Sequence, residues 1–134
     1  MKQKQIKLLT IIISSFILTI LFTNNAMAQE KNQMVRLAKI TVDPLKLDEY
    51  NIALKEQMTT AVLVERGVLT YYAVADKKAL SHITILEIYA DTAAYKAHIE
   101  TPHFKKYKKT VKDMVKSLEL VDVNLIGFAK KSDK

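Results

Sequence analysis

The stretch that decides the fold of this chain is residues 84–107, TILEIYADTAAYKAHIETPHFKKY. Its first residues are mostly apolar and β-branched, which is typical of a buried strand. Asp91 is placed to cap a short helix over residues 92–100. Thr101 can cap a second helix, with Pro102 at the first helical position, where its missing N–H is not needed. The stretch therefore predicts a strand followed by two helices that are broken at Thr101.

Three residues of this stretch are candidate catalytic residues: Glu87, His98 and His103. A carboxylate inside an apolar strand is costly unless it is paired or used, so Glu87 either orients a histidine, binds a substrate hydroxyl, or forms an ion pair with Arg36 or Lys39. His98 and His103 lie on either side of the helix break, so both imidazoles should gather near one corner. Each could serve as a general base or could simply hydrogen-bond to the backbone.

The rest of the chain predicts a small α+β domain. Asp43-Pro44 ends a first strand, apolar residues at helical spacing follow, and Gly67 ends the helix, where a left-handed backbone is expected. The predicted elements are strands over 34–42, 68–75, 81–90 and 119–128 and helices over 45–65, 92–100 and from 102 to about 117. The order β-α-β-β-α-β, with the second helix broken, indicates a ferredoxin-like fold with a four-stranded antiparallel sheet.

One face of this sheet is predicted to bind a second copy of the chain. Both helices fall on the other face, yet the strand residues are too apolar for a solvated face; examples are Leu37, Tyr72, Ile85 and Val123. An exposed apolar sheet face of this kind usually marks a partner surface, and a two-fold homodimer that packs sheet on sheet would cover it.

Residues 1–28 are predicted to be a signal peptide. Three lysines precede an apolar run, and Ala26-Met27-Ala28 matches the small-x-small pattern of a cleavage site. An uncleaved anchor is the alternative. Cleavage would leave residues 29–134 as one domain with a core over 34–128, exported to the periplasm or secreted, with no stable membrane anchor. The chain has no cysteine, so its core alone must hold it together.

The chain resembles the antibiotic biosynthesis monooxygenase (ABM) family, and in particular the small cofactor-free quinol monooxygenases. The resemblance covers about residues 34–128 and includes Glu65-Arg66-Gly67. Its pattern is carried by Glu87, Tyr89, Asp91, Ala94, Tyr95, His98, Thr101, His103 and Phe104. It implies a homodimeric α+β barrel with a pocket between sheet and helices in each subunit. It also implies oxidation of a quinol or similar electron-rich phenol by O2, without flavin, haem or metal.

Aromatic residues are the candidate walls of a pocket for such a small aromatic substrate. They are Tyr71, Tyr72, Tyr89, Phe104 and Tyr107. Because neighbouring residues of a strand point to opposite faces, only one of Tyr71 and Tyr72 can face the pocket. Phe104 and Tyr107 could equally be ordinary core residues.

Other functions are less well supported. Haem-degrading relatives resemble the chain around Phe104, but Lys108 stands where they carry the haem-binding histidine, and the chain has no tryptophan. A metal triad of His82, His98 and His103 lacks the i, i+4 spacing of helical ligands. The lysines of the last helix indicate a solvated face rather than nucleic-acid binding. A non-catalytic dimeric protein that binds a small molecule in the same pocket remains the main alternative.

Overall fold

The computed structural model describes residues 32–129 and 131, so the predicted signal peptide lies outside the described residues. The elements are β1 (Met34–Val42), a 3-10 turn (Pro44–Lys46), α1 (Leu47–Val64), β2 (Val68–Asp76), β3 (Ala79–Tyr89), α2 (Thr92–Ile99), α3 (Pro102–Val111) and β4 (Val115–Val123). In this part of the chain, no helix combines the length and the apolar character that a membrane crossing would require.

The four strands form one antiparallel sheet in the order β2-β3-β1-β4. This confirms the predicted ferredoxin-like α+β fold, including the broken second helix. The two predicted caps form as well: the Asp91 carboxylate accepts a hydrogen bond from the Ala94 N–H at 2.7 Å, and the Thr101 hydroxyl accepts one from the Phe104 N–H at 3.3 Å. These caps fix where α2 and α3 begin, and thereby where their histidines lie.

The core lies between one face of the sheet, called here the inner face, and the helices. Alternate residues of β1, Ala38, Ile40 and Val42, point inward and pack with Tyr50 and Leu54 of α1. Burying an aliphatic side chain of this size stabilises the fold by about 1.5–3 kcal/mol. The apolar spacing that predicts α1 is therefore the spacing that attaches it to the sheet.

The opposite, outer face of the sheet is apolar but does not contain Ile85. In the strand register Ile85 pairs with Ala38, so both point inward, and Ile85 is 4% exposed. Of the apolar strand residues named from the sequence, Ile85 therefore belongs to the core and not to the partner surface, because strand alternation places it on the inner face. The outer face carries Leu37, Leu86, Tyr72 and Val74, of which Tyr72 and Val74 are 53% and 64% exposed.

The last helix is shorter than the sequence predicts, and the last strand begins earlier in the chain. The helix ends at Val111 rather than near Ser117, and the strand spans Val115–Val123 rather than residues 119–128. The Asp43 N–H donates to the Met114 carbonyl at 2.8 Å, and Val115 pairs with Val42, so the chain joins the sheet directly after a short turn. Tertiary pairing with β1 thus overrides a helical pattern of apolar residues.

Gly67 is needed for space and not for a left-handed backbone. None of the described glycines has a positive φ, so the predicted left-handed cap is wrong. A Cβ on Gly67 would instead lie 2.5 Å from the Cβ of Ala94, far inside van der Waals contact. The absence of a side chain lets α2 approach the start of β2, and the Ala90 N–H donates to the Gly67 carbonyl at 2.9 Å.

We expect the substitution Gly67→Ala to lower the free energy of unfolding by about 1–3 kcal/mol, the usual cost of overpacking. Gly127→Ala is the matched control, because a Cβ there would meet nothing within 4 Å. Urea unfolding of the two variants and the parent measures both effects. Equal stability of Gly67→Ala and the parent would show that α2 does not need this close approach.

Candidate active site

A cavity of about 280 Å³ lies between the inner face of the sheet and the helices. Its walls are mainly apolar, with Leu54, Met58, Ile85 and Phe104 among them, as expected for a site that binds a small molecule. Toward β4, part of the lining is solvent-exposed: Leu118 and Leu120 are 45% and 49% exposed, and Lys108 is also exposed. This exposed part of the lining is called here the mouth.

One wall of the cavity is polar because three strands place polar residues in one row. Arg36 pairs with Glu87, and Glu87 pairs with Tyr71, so all three point toward the helices. The Tyr89 hydroxyl is hydrogen-bonded to Glu87 Oε2 at 2.9 Å and lies 2.7 Å from the Tyr71 hydroxyl. A carboxyl group and two phenols are thus joined by hydrogen bonds at the edge of an apolar space.

His98 lies directly behind this wall and has no exposed surface. Its Nε2 is 2.9 Å from the Tyr71 hydroxyl and 3.2 Å from Gln57 Nε2, while its Nδ1 is 2.8 Å from Glu65 Oε1. Both ring nitrogens are therefore satisfied inside the protein, as a buried polar group requires.

Glu65, at the end of α1, joins the two predicted histidines. His103 Nε2 lies 2.6 Å from Glu65 Oε1 and 3.3 Å from the Thr101 hydroxyl. That hydroxyl donates its only hydrogen to the His98 carbonyl at 2.7 Å, so it can only accept from His103. His103 Nε2 must then carry a hydrogen, and the Glu65 carboxylate accepts from both rings.

Burial dominates the electrostatics of this polar layer. It raises the pKa of the Glu87 carboxyl, although the Tyr89 hydrogen bond and the Arg36 charge act in the opposite direction. It lowers the pKa of His98, opposed by the hydrogen bond and charge of Glu65. Burial also raises the pKa of Tyr71 and Tyr89. The two hydroxyls therefore stay protonated, and a neutral His98 is favoured.

The structure places most of the predicted site residues at this cavity. Glu87 and four of the predicted aromatic residues line it: Tyr71, Tyr89, Phe104 and Tyr107. His98 is one hydrogen bond behind Tyr71, and His103 borders a separate groove between α1 and α3. Tyr72 points to the outer face and does not line the cavity, so its assignment to the substrate pocket is corrected.

Neither proposed ion-pair partner of Glu87 binds it in the part of the chain that the structure describes. The Arg36 Nε–H donates to Asp122 at 2.7 Å, and Arg36 lies over the Tyr95 ring at 4.3 Å. Lys39 lies 3.3 Å from Glu119. Glu87 is therefore a carboxyl group held by a phenol and open to the cavity.

Sequence reasoning gave no role to Glu65 or Gln57. Gln57 is buried on the apolar face of α1 and could have been noticed as a polar interruption of that face. Glu65 entered only through the family resemblance, within Glu65-Arg66-Gly67, and a glutamate at a helix end is ordinarily solvated. Only the fold shows that it meets two histidines.

Glu65, His98 and His103 are also the residues among those described whose ligand atoms could hold a metal ion, lying within 4.8 Å of one another. One carboxylate with two imidazoles is a common donor set for zinc or ferrous iron. This set shares His98 and His103 with the triad considered from the sequence, but Glu65 takes the place of His82. The observed distances are those of two hydrogen bonds onto one carboxylate oxygen, which accounts for all three side chains without a metal.

Comparison with known proteins identifies the relatives of this fold. Residues 34–110 match the family model described as antibiotic biosynthesis monooxygenase. A candidate antibiotic biosynthesis monooxygenase from Bacteroides thetaiotaomicron is 53% identical, with a TM-score of 0.73 over 78% of this chain and 99% of that one. A candidate monooxygenase from Lactobacillus acidophilus is 30% identical, with a TM-score of 0.66 over 66% of this chain and 42% of that one. No curated protein matches the sequence significantly.

We expect the free energy of unfolding to fall as the pH is lowered below about 6.5, the ordinary pKa of histidine. The unfolded chain binds a proton at His98 that the buried ring resists, so the unfolded state gains protons first and is favoured by acid. Between pH 7 and pH 5, the free energy of unfolding measured in urea should fall less for His98→Gln than for the parent. His82→Gln, which removes an exposed histidine, should keep the parent's loss. An equal fall in the free energy of unfolding for the parent and His98→Gln would show that His98 does not cause the acid sensitivity.

Proposed function

This chain belongs to the antibiotic biosynthesis monooxygenase family, and from that membership we propose that it is a cofactor-independent monooxygenase that oxidises a quinol or similar electron-rich phenol with O2. The observation that carries the proposal is the polar wall of the cavity. Glu87, hydrogen-bonded to Tyr89, faces an apolar space large enough for an aromatic ring. A phenol bound there would place its hydroxyl against the carboxyl group and its ring against apolar side chains.

The reaction balances without any further reactant. One hydroquinone and one O2 give one hydroxyquinone and one water, and the substrate itself supplies all the electrons that O2 takes up. The protein then has three tasks: to bind the ring, to remove a hydroxyl proton so that the electron-rich anion can react with O2, and to exclude bulk water. A positioned acid–base group typically contributes a factor of about 10²–10⁴ to such a rate.

The cavity supports a substrate of one or two fused rings. Its volume of about 280 Å³ is nearly twice that of an engineered apolar cavity of roughly 150 Å³ that binds benzene. Phe104 and Tyr107 offer ring faces, while Lys108 at the mouth adds a positive charge to the lining of the cavity in which the phenolate forms. Lys108 occupies the place of the haem-binding histidine in haem-degrading relatives, which supports a quinol over haem as the ligand.

Export and dimerisation complete the proposal. The basic and apolar leader supports export with cleavage after Ala28. The apolar outer face of the sheet, with Tyr72 and Val74 strongly exposed, supports a homodimer that packs sheet on sheet.

We expect the purified protein, without added flavin or metal, to accelerate O2 uptake by a hydroquinone above its rate of autoxidation. Glu87→Gln should lower that acceleration by about a hundredfold or more, because the amide cannot take up a proton. Glu100→Gln is the matched control, since that carboxylate is exposed and paired with Lys105. An oxygen electrode and a panel of one-ring and two-ring quinols measure the rates. Ligand binding without any acceleration across the panel would favour the non-catalytic binding protein.

We expect Val74→Lys, on the outer face, to convert the homodimer into a monomer or to lower its stability, because a charge would be buried between the sheets. Leu63→Lys on α1 is the matched control, since Leu63 is 81% exposed and lies away from the sheet. Light scattering of both variants and the parent at micromolar concentration measures the mass. A parent protein that is monomeric and fully folded would refute the dimer.

A further inference from the structure

The polar residues behind the cavity form one continuous chain of hydrogen bonds, called here the hydroxyl chain. It runs from Glu87 to Tyr89 at 2.9 Å, from Tyr89 to Tyr71 at 2.7 Å, and from Tyr71 to His98 Nε2 at 2.9 Å. At its far end, Nδ1 of His98 is hydrogen-bonded to Glu65. The hydroxyl chain therefore connects a group that faces substrate with a buried imidazole–carboxylate pair.

Counting hydrogens shows that the hydroxyl chain holds one proton more than its tyrosines supply. Its three short contacts each need a hydrogen, and the hydroxyls of Tyr89 and Tyr71 provide two. The third must come from the Glu87 carboxyl at one end or from His98 Nε2 at the other. If Glu87 carries it, every hydrogen points toward His98; if His98 carries it, every hydrogen points toward Glu87.

We propose that the His98–Glu65 pair is the final acceptor of the substrate proton, and that Glu87, Tyr89 and Tyr71 carry the proton to it. The substrate O–H bond breaks as a new O–H bond forms at Glu87 Oε1. Glu87 Oε2 passes its proton to Tyr89, Tyr89 passes one to Tyr71, and Tyr71 forms an N–H bond at His98 Nε2. The net result is a phenolate in the cavity and an imidazolium beside Glu65, with no change in any oxidation state.

The surroundings of the two ends suit this transfer. The acquired charge on His98 lies against the Glu65 carboxylate, whose position is held by a second hydrogen bond, from His103 at 2.6 Å. Gln57, whose amide nitrogen approaches His98 Nε2 at 3.2 Å, can turn its oxygen toward a protonated ring. Other charged or titratable groups near the route are Arg36, Tyr95, Tyr107 and Lys108, which line the cavity around Glu87.

The same route can return the proton. The oxidation of a quinol to a hydroxyquinone releases water, so the reduced oxygen must be protonated before the product leaves. A proton held at His98 can travel back along the hydroxyl chain to Glu87 and from there to the oxygen. The protein then ends each turnover with the proton it began with, and no exchange with bulk water is needed inside the apolar cavity.

The test follows the protonation of His98 by nitrogen-15 NMR of histidine-labelled full-length protein, without substrate. In the parent, the hydrogen that Glu87 donates to Tyr89 makes Tyr71 donate to His98 Nε2. This donation opposes the binding of a proton at that nitrogen. Glu87→Gln should therefore raise the titration midpoint of His98, by about one pH unit for coupled groups. In a Tyr71→Phe background the hydroxyl chain is broken, and Glu87→Gln should leave the midpoint unchanged. A midpoint that responds equally in both backgrounds would overturn the relay, because the coupling would then be purely through space.

Kinetics provide the second arm, which rests on the proposed function. Tyr71→Phe and His98→Gln should each slow quinol oxidation about a hundredfold, and the double variant should be no slower than either, because both interrupt one route. Tyr89→Phe removes a different hydroxyl of the same hydroxyl chain, so it should slow quinol oxidation to a similar extent. Tyr50→Phe is the matched control: Tyr50 also donates or accepts in a tyrosine pair, with Tyr107 at 2.9 Å, but lies off the hydroxyl chain. Full activity of Tyr71→Phe and Tyr89→Phe would overturn the relay while leaving the monooxygenase intact.

The two arms separate the failure of the relay from the failure of the function. If the parent oxidises no quinol, the monooxygenase proposal fails, and the NMR midpoints still decide whether Glu87 and His98 share a proton. Zinc titration gives one further outcome. Displacement of the His98 and His103 signals by stoichiometric zinc would mean that the pair serves as a metal site, which would overturn its role as proton acceptor.

Discussion

The satisfaction of one fully buried imidazole, that of His98, is the constraint on which the rest of the site depends. An unsatisfied nitrogen in this position would cost about 1–3 kcal/mol, so each of its two nitrogens needs a partner. Tyr71 of β2 and Glu65 at the end of α1 provide them. Both partners reach the ring only because α2 packs against the start of β2, and the missing side chain of Gly67 permits that approach.

This constraint also explains why a polar layer survives in so small a core. The layer is complete: none of the buried side-chain nitrogens and oxygens in the described part of the chain lacks a partner. A fully bonded network fixes the geometry of its members, whereas a partly bonded one would cost more than an apolar core. Removal of a single member therefore affects the orientation of the others, which is why the double variants and the control at Tyr50 are needed to separate chemistry from packing.

The sequence predicts the element order and the caps, because these depend on local spacing. Strand alternation shows only that one of Tyr71 and Tyr72 faces the pocket, and the pairing with Glu87 decides that it is Tyr71. The sequence fails where the outcome depends on contacts between distant segments. The register between β1 and β3 decides that Ile85 points inward, pairing with β1 decides where β4 begins, and the approach of α2 decides why residue 67 is glycine. Glu65 is the largest omission, because the resemblance that includes it gives it no role and its spacing alone is that of a solvated helix end.

Phenols are well suited to the interior of a proton route that borders an apolar cavity. Burial keeps Tyr71 and Tyr89 protonated, so neither becomes charged as a proton passes, and each only exchanges the hydrogen it donates for the one it accepts. Charge then changes only at the two ends. At one end it develops on the substrate, and at the other it develops on His98, where Glu65 already provides the opposite charge. A carboxylate or a lysine in place of either tyrosine would hold the charge midway, next to an apolar wall, and would raise the free energy of transfer.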